Sequence, residues 1–448
     1  MNRKDRSEKI TEFALAVVGI TAIFLRAFYV YYTPSWRRQH DVIGFGTGEG
    51  QAAFIEFFYG GHVLLDFDPR EKWGFFQPPL HHMVAALWIR IQELFGIGYD
   101  AACEHVQVLT LIYSLIALWA AFLIFKYFGL EKKALLLAFT ITAIHPGFIL
   151  MSGSVNNDMA AIMFTLLTVY YSLRWYDDRS WKHTIILALF IGMGMMTKLS
   201  VALVVPATAL LFVVRMVQGG ADGFVRYMKQ LVVFTFICGP IALWSPIRNY
   251  ILFKVPFGYT PEVGEPVERP LLARLFDIRS SIPYVSRISN GDQYDEFNIF
   301  LGMLKTSFFG DENFAYEIAR TGHSGLGRSV FMGLGWAVFI SGAILAVLGI
   351  YAVCRVLFSE RYIKDPVIRA YLGTVLTVSM IMYISFMFKS PYSSSMDFRY
   401  VIYLIPVCAV MMGMYADKGE KWFGVGAAAL TVLFAGSSVA TYLLLCLA

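Results

Sequence analysis

Six short stretches of this chain place ionisable or amide side chains inside otherwise apolar sequence. Asp41 ends the run RQHD just after the first long apolar segment, and QPPLHH carries Gln77, His81 and His82. Asn156, Asn157 and Asp158 are consecutive, Lys198 stands in MTKLS, Arg248 and Asn249 precede Tyr250, and DFRY holds Asp397, Arg399 and Tyr400. Charge next to hydrocarbon is costly and commonly marks function. A carboxylate near a bilayer surface, a second at a neighbouring turn and several cations have the composition of a site for the charged head group of a lipid.

Each group also has a plainer reading. Asp41 alone is what a solvated loop or a helix cap commonly uses. His81 and His82, on spacing alone, are polar-face residues of an interfacial helix; neighbours on a helix point about 100° apart, so the pair does not make a two-histidine metal site. Lys198 and Arg399 have the long stems of residues that snorkel to lipid phosphate. Arg26, inside the first apolar run, reads as another such anchor or as a partner for Asp158. Position favours function: once a topology is assigned, all six stretches fall on one side of the membrane.

The elements that place them follow from composition and charge. The 448 residues are 57% hydrophobic, 16% aromatic and 15% charged, with a mean hydropathy of +0.59. A soluble globular chain carries about 25% charged residues, so an all-α integral membrane protein is expected. A hydrocarbon core of about 30 Å takes roughly 20 apolar residues per crossing. Apolar runs near 11–32, 103–125, 133–153, 157–174, 184–197, 199–216, 230–250, 329–354, 367–388, 398–416 and 421–446 predict eleven crossings. The first, with its basic flank and its closing aromatic cluster, reads as a retained anchor rather than a cleaved signal.

One further stretch, 80–95, decides the topology. Its large apolar residues recur with a helical period while His81, His82, Arg90 and Glu93 share the other side, so it is expected to lie in the interface rather than to span. Nineteen of the 37 Lys and Arg then sit in six segments that all fall inside, as the positive-inside rule requires. This arrangement puts the N-terminus in the cytoplasm and the six polar stretches outside, with a bacterial plasma membrane as the expected setting. The chain reads as one unit with two long external segments, 34–102, which carries amphipathic stretches, and 251–328, which has the mixed composition of an ordered cap. No internal repeat is visible. The five scattered cysteines, Cys103, Cys238, Cys354, Cys408 and Cys446, lack CxxC spacing and suggest neither disulfides nor a metal site. A net charge of +5 dispersed over short loops does not suggest nucleic acid as a partner.

At the polar stretches the chain resembles the GT-C superfamily of multispanning glycosyltransferases, particularly the branch of protein O-mannosyltransferases and lipid A aminoarabinose transferases. The resemblance covers most of the first 260 residues and returns at 397–406. HDVIGFG is similar to the mannosyltransferase motif Asp-Glu-x-His-Phe-Gly, with Asp41, Phe45 and Gly46 matching and Val42 and Gly44 departing. QPPLHHM is similar to His-Pro-Pro-Leu-Gly-Lys-Met, with Gln77 and His82 in place of the family histidine and lysine. HPGFILMSGSVNNDM, GMGMMTKLSVALVVP, WSPIRNYILFKVPFG and DFRYVIYLIP resemble later family stretches in the same order. The departures at Val42, Gln77 and His82 separate the chain from a typical protein O-mannosyltransferase. The missing second acid also weakens the case for a metal.

The resemblance implies a GT-C bundle that moves a sugar from a polyprenyl-phosphate carrier to an acceptor hydroxyl at the extracytoplasmic face, with no cofactor. The acceptor hydroxyl must lose a proton as it attacks, which assigns Asp41 as general base. The leaving phosphate needs fixed cations, for which the resemblance offers Lys198, Arg248 and Arg399, with His82 replacing the family lysine. Gln77, His81, Asn157, Asp158, Asn249, Asp397 and Tyr400 would surround the substrates. Direct single displacement would invert the anomeric centre. The acceptor is open between protein, lipid and glycopolymer. Two rival classes are a transporter or flippase of a lipid-linked saccharide, which would usually show repeats and a site near the midplane, and a noncatalytic scaffold subunit.

Overall fold

In a computed structural model of the chain, residues 3–37, 43–262, 270–276, 278, 283, 298–310, 326–390 and 393–447 are described. All regular structure among them is helical. The order begins α1 (Arg3–Tyr32), α2 (Gly50–Tyr59), α3 (Leu80–Leu94), α4 (Tyr99–Glu104), α5 (Val106–Tyr127), α6 (Lys132–Ala143), α7 (Pro146–Met151), α8 (Asp158–Asp178) and α9 (Trp181–Thr197). A 3₁₀ turn (Leu199–Val204) leads to α10 (Val205–Gln218) and the long α11 (Gly220–Phe253). Then follow α12 (Leu271–Phe276), α13 (Ile299–Phe309), α14 (Leu326–Leu357) and α15 (Pro366–Lys389), two 3₁₀ turns (Ser393–Met396 and Phe398–Val401), α16 (Leu404–Lys418) and α17 (Lys421–Leu447).

Among the described residues seven helices are long and apolar enough to cross a membrane, eight if the bent pair α6 and α7 is one span. The expected eleven crossings are therefore not confirmed, although each predicted run is occupied by a helix or a broken pair. The shortfall has visible causes. At 1.5 Å per residue the 15 residues of α16 cover roughly 22 Å, less than the hydrocarbon thickness. Its run loses its start to the 3₁₀ turn that holds Arg399. α9 has only 17 residues, and α8 carries Asp158 at one end and Arg174, Asp177 and Asp178 at the other.

α8 is buried around most of its circumference, between α5 on one side and α9 on the other, while α6 packs against α16. A helix that is apolar all round belongs in such an interior. The break between α6 and α7 turns the chain by 53° at His145 and Pro146; proline lacks the N–H that a continuous helix would need there. The break leaves carbonyls at the end of α6 without intrahelical partners. Arg26 answers this: from α1 it donates to the Ala143 carbonyl (2.7 Å), to its own Ala22 carbonyl (3.0 Å) and to Ser114 (3.0 Å). It is thus neither an interfacial anchor nor the partner of Asp158. Gly147 lets α7 pass close to α13, since a Cβ there would stand 2.6 Å from the Ser307 carbonyl oxygen.

α3 forms where the amphipathic stretch predicted it and is not among the span-length helices, but His81 and His82, expected on its polar face, are turned into the interior. His81, His82, Ala85, Ala86, Ile89 and Gln92 are buried, and Leu87, Ile91 and Leu94 face outward. The small alanines allow close packing on α2, α4 and α5, and the histidines find buried acceptors, which leaves the bulky stripe outside. An outward stripe of large apolar residues is what a helix against lipid presents.

Candidate active site

Five of the six polar stretches, all but that of Asp41, meet at one pole of the bundle, the end where α9, α11 and α15 finish and α8 begins. The opposite pole carries the basic connections and its own polar ties, among them Lys132 with Glu8 (2.7 Å), Tyr127 with Asp177 (3.0 Å) and Tyr176 with Asp365 (3.0 Å). The separation of the two sets matches the charge sorting read from the sequence.

At the first pole lies a cavity of about 410 Å³ whose wall includes Gln77, Lys198, Ser245, Asn249, Arg399 and Tyr400. Each is placed by a local feature. Lys198 is the residue that ends α9, with extended backbone (φ −158°, ψ 129°), so the chain turns there into the 3₁₀ segment. Asp158 opens α8, where a negative charge meets the positive end of the helix dipole, and its N–H is accepted by Asn156 Oδ1 at 3.0 Å. Asp397 caps the second of the late 3₁₀ turns by accepting from the Arg399 N–H (2.9 Å). α11, 34 residues or roughly 50 Å long, exceeds the hydrocarbon thickness and so presents Ser245, Arg248 and Asn249 near its end.

These residues form a buried ion network. Lys198 pairs with Asp158 Oδ1, and Arg399 Nε lies 3.4 Å from Asp158 Oδ2 and 3.4 Å from Asp397 Oδ2. Arg399 also donates to the Tyr400 hydroxyl (3.2 Å), and the Lys198 ammonium stands 5.1 Å from the Tyr400 ring centroid. Among the described residues two carboxylates meet two cations, and such pairing offsets the cost of keeping charge away from water. The carboxylates hold the cations in place against the cavity, and the cations line it.

Other sequence-predicted residues lie elsewhere. Arg248 turns from the cavity to the Leu65 carbonyl, and Arg70, paired with Asp68, donates to the Phe253 carbonyl (2.9 Å); together they strap the first external segment onto the end of α11. The Arg70 guanidinium beside Asp68 draws its carboxyl below the usual range. His81 donates to the Val155 carbonyl (2.7 Å), and His82 meets Gln51 Oε1 at 2.5 Å, both fully buried behind the cavity wall. His82 therefore differs from the phosphate ligand that the resemblance implied: burial holds it well below its ordinary pKa, so it carries no positive charge at neutral pH. Asp41 lies outside the described residues, as does Val42.

Burial also lowers His81 to about 4. The unfolded histidine, near 6.5, binds its proton first as pH falls, so folded stability is full above about 6.5 and is lost as pH falls towards 4. At pH 5 this amounts to about 2 kcal/mol for one histidine. Thermal unfolding in detergent should show the loss between pH 7.5 and pH 5, with a shallower slope in His81→Gln; an identical slope in that variant would remove His81 as the cause.

Three features escaped sequence reading, two of them in the cavity wall. An aromatic wall, Trp73, Phe76 and Tyr259, faces the cations, with Phe76 and Tyr259 edge to face at 5.9 Å. It is set by a tight turn at Gly74 (φ +86°), where a Cβ would fall 2.7 Å from the Gly50 carbonyl carbon. Aromatics are so common here that no signal marked these three. Tyr383, on α15, also lines the cavity and donates to the Met396 carbonyl (2.7 Å). Lys305, fully buried on α13, had a usable signal: it is the one charge in the apolar run IFLGMLKTSFF. Among the described residues no group of three or more His, Cys, Asp or Glu is placed to hold a metal.

This fold is shared with solved structures of an oligosaccharyltransferase. The archaeal oligosaccharyltransferase AglB from Archaeoglobus fulgidus, in complex with an inhibitory peptide and a dolichol-phosphate, superposes with a TM-score of 0.52 at 13% identity, over 98% of this chain and 55% of that one. Its apo form gives 0.51 at 14% identity, over the same 98% and 55%. The chain thus spans about half the length of these relatives. Residues 77–251 match the family model of dolichyl-phosphate-mannose-protein mannosyltransferase. Fold and matched segment are both consistent with the GT-C superfamily that the polar stretches resemble. No curated protein matches the sequence. The matched segment contains Gln77, Asn157, Asp158, Lys198 and Asn249, whereas Asp41 and the stretch from Asp397 to Tyr400 lie beyond it.

Proposed function

We propose that the chain is a membrane glycosyltransferase that moves a sugar from a polyprenyl-phosphate carrier to an acceptor hydroxyl, with inversion, at the extracytoplasmic face. The observation that carries this reading is the convergence of Lys198 and Arg399 on one cavity at the pole away from the basic connections. In the reaction the acceptor oxygen attacks the anomeric carbon and its proton passes to the Asp41 carboxylate. The bond from the anomeric carbon to the phosphate oxygen breaks, and its electrons stay on the phosphate. Lys198 and Arg399 meet that growing charge directly, so the reading assigns the leaving group to fixed cations rather than to a metal. An apolar cavity of about 350 Å³ between α13, α14, α15 and α16 has Phe398 in its wall, next to Arg399, and offers room for aliphatic chain near the head-group site.

The test is transfer by the purified protein from a panel of synthetic polyprenyl-phosphate hexoses and pentoses, with the anomeric configuration of the product read by NMR. Inverted product and release of the polyprenyl phosphate are expected. Product of retained configuration, or no consumption of any donor by well-folded protein, would overturn the reading.

A further inference from the structure

Asn157 is almost completely buried and does not line the cavity, yet it touches a residue that does. Its Nδ2 donates to the Thr197 carbonyl at 2.8 Å and lies 3.4 Å from Gln77 Oε1. The first contact fixes the side chain's orientation. A backbone carbonyl oxygen only accepts, so the nitrogen of the Asn157 amide, not its oxygen, must face Thr197. The same nitrogen then offers its second hydrogen to Gln77, which must answer with its oxygen. The Gln77 Nε2 group, with two N–H donors, is left for the cavity.

Among its polar groups the cavity wall therefore includes three donors from three parts of the chain: the Gln77 amide before α3, the Lys198 ammonium at the end of α9 and the Arg399 guanidinium in the late 3₁₀ turn. Two of the three are cationic. Two cations and an amide N–H on one wall suit an oxyanion. Asn157 and Thr197 are the chain neighbours of Asp158 and Lys198, so the same register of α8 against α9 that forms the ion pair also sets the amide.

We infer that Asn157 is a positioning residue that holds the Gln77 amide with its nitrogen turned into the cavity, and that Gln77 is a third ligand to the phosphate of the lipid carrier beside Lys198 and Arg399. This rests on the donor class proposed above.

The experiment measures binding of decaprenyl phosphate, with uncharged decaprenol as the control, to the detergent-purified full chain and its variants. Gln77→Ala should weaken decaprenyl phosphate binding on the order of tenfold, the effect of one hydrogen bond to a charged group. Asn157→Ala should weaken it similarly, and the double variant should bind no more weakly than Gln77→Ala alone, because Asn157 acts through Gln77. Asn157→Ser, which keeps a donor for Thr197, serves if the alanine variant folds poorly. Decaprenol binding should be unchanged throughout. Multiplicative losses in the double variant, or equal losses for decaprenol, would overturn the inference while leaving the donor class intact. Wild-type protein that fails to prefer decaprenyl phosphate over decaprenol would overturn both.

Discussion

Asp41→Asn is expected to slow sugar transfer by about 10²–10⁴-fold, the usual contribution of a general base, with the midpoint of thermal unfolding and the donor KM essentially unchanged. The argument is one of proton accounting. An acceptor hydroxyl is a weak nucleophile until its proton has somewhere to go, and the cavity's described wall supplies donors and cations rather than a free base: Asp158 and Asp397 are both engaged with Arg399. Asn keeps the shape of Asp and one carbonyl oxygen, so substrate positioning persists, but an amide does not take the proton. The loss should therefore fall on kcat. Asp41→Glu, which keeps the carboxylate on a longer stem, should recover part of the rate. If Asp41→Asn kept full turnover, the base would have to be sought elsewhere, and Asp158 released from Lys198 by substrate would be the first alternative. If neither wild type nor variant turned over any donor while both bound it, the noncatalytic scaffold reading would gain.

Much of this site was legible because polar side chains are rare in the sequence. Gln77, Asn157, Asp158, Lys198, Asn249, Asp397, Arg399 and Tyr400 stood out for one physical reason, the cost of placing them near hydrocarbon, and the fold brings them to one pole. The same reasoning went wrong where direction mattered. Periodicity put His81 and His82 on the polar face of α3, because it does not show which polar groups will find buried partners; the small residues and the hydrogen-bonded histidines took the interior. Arg248 was found in the right neighbourhood but points to a backbone carbonyl, a choice that depends on where residues 60–79 run and leaves no trace in local sequence. The eleven runs became helices, yet a run's hydropathy does not reveal that its first residues will form a 3₁₀ turn to hold an arginine, as happens before α16.

Asp158→Ala is expected to destabilise the folded protein by about 3–5 kcal/mol, the usual cost of leaving a buried charge without its partner. The carboxylate is nearly enclosed, with a side-chain exposure of 5%, and it serves two cations at once, Lys198 at 15% and Arg399 at 6%. Its removal leaves the Arg399 guanidinium with Asp397 and the Lys198 ammonium facing an aromatic ring. Salt should do little to rescue the variant, because counter-ions screen buried charge poorly. A second substitution separates stability from function. Asp158→Leu combined with Lys198→Met removes both charges of the closest pair and fills the space with carbon, and such replacements are often neutral for folding. The double variant should therefore regain most of the lost unfolding midpoint in detergent while binding polyprenyl phosphate far more weakly than wild type. Full recovery of stability with wild-type affinity would mean that Lys198 is only a structural counter-ion. Failure of the double variant to regain stability would instead place the structural importance of Asp158 in its contacts with Arg399 and the start of α8.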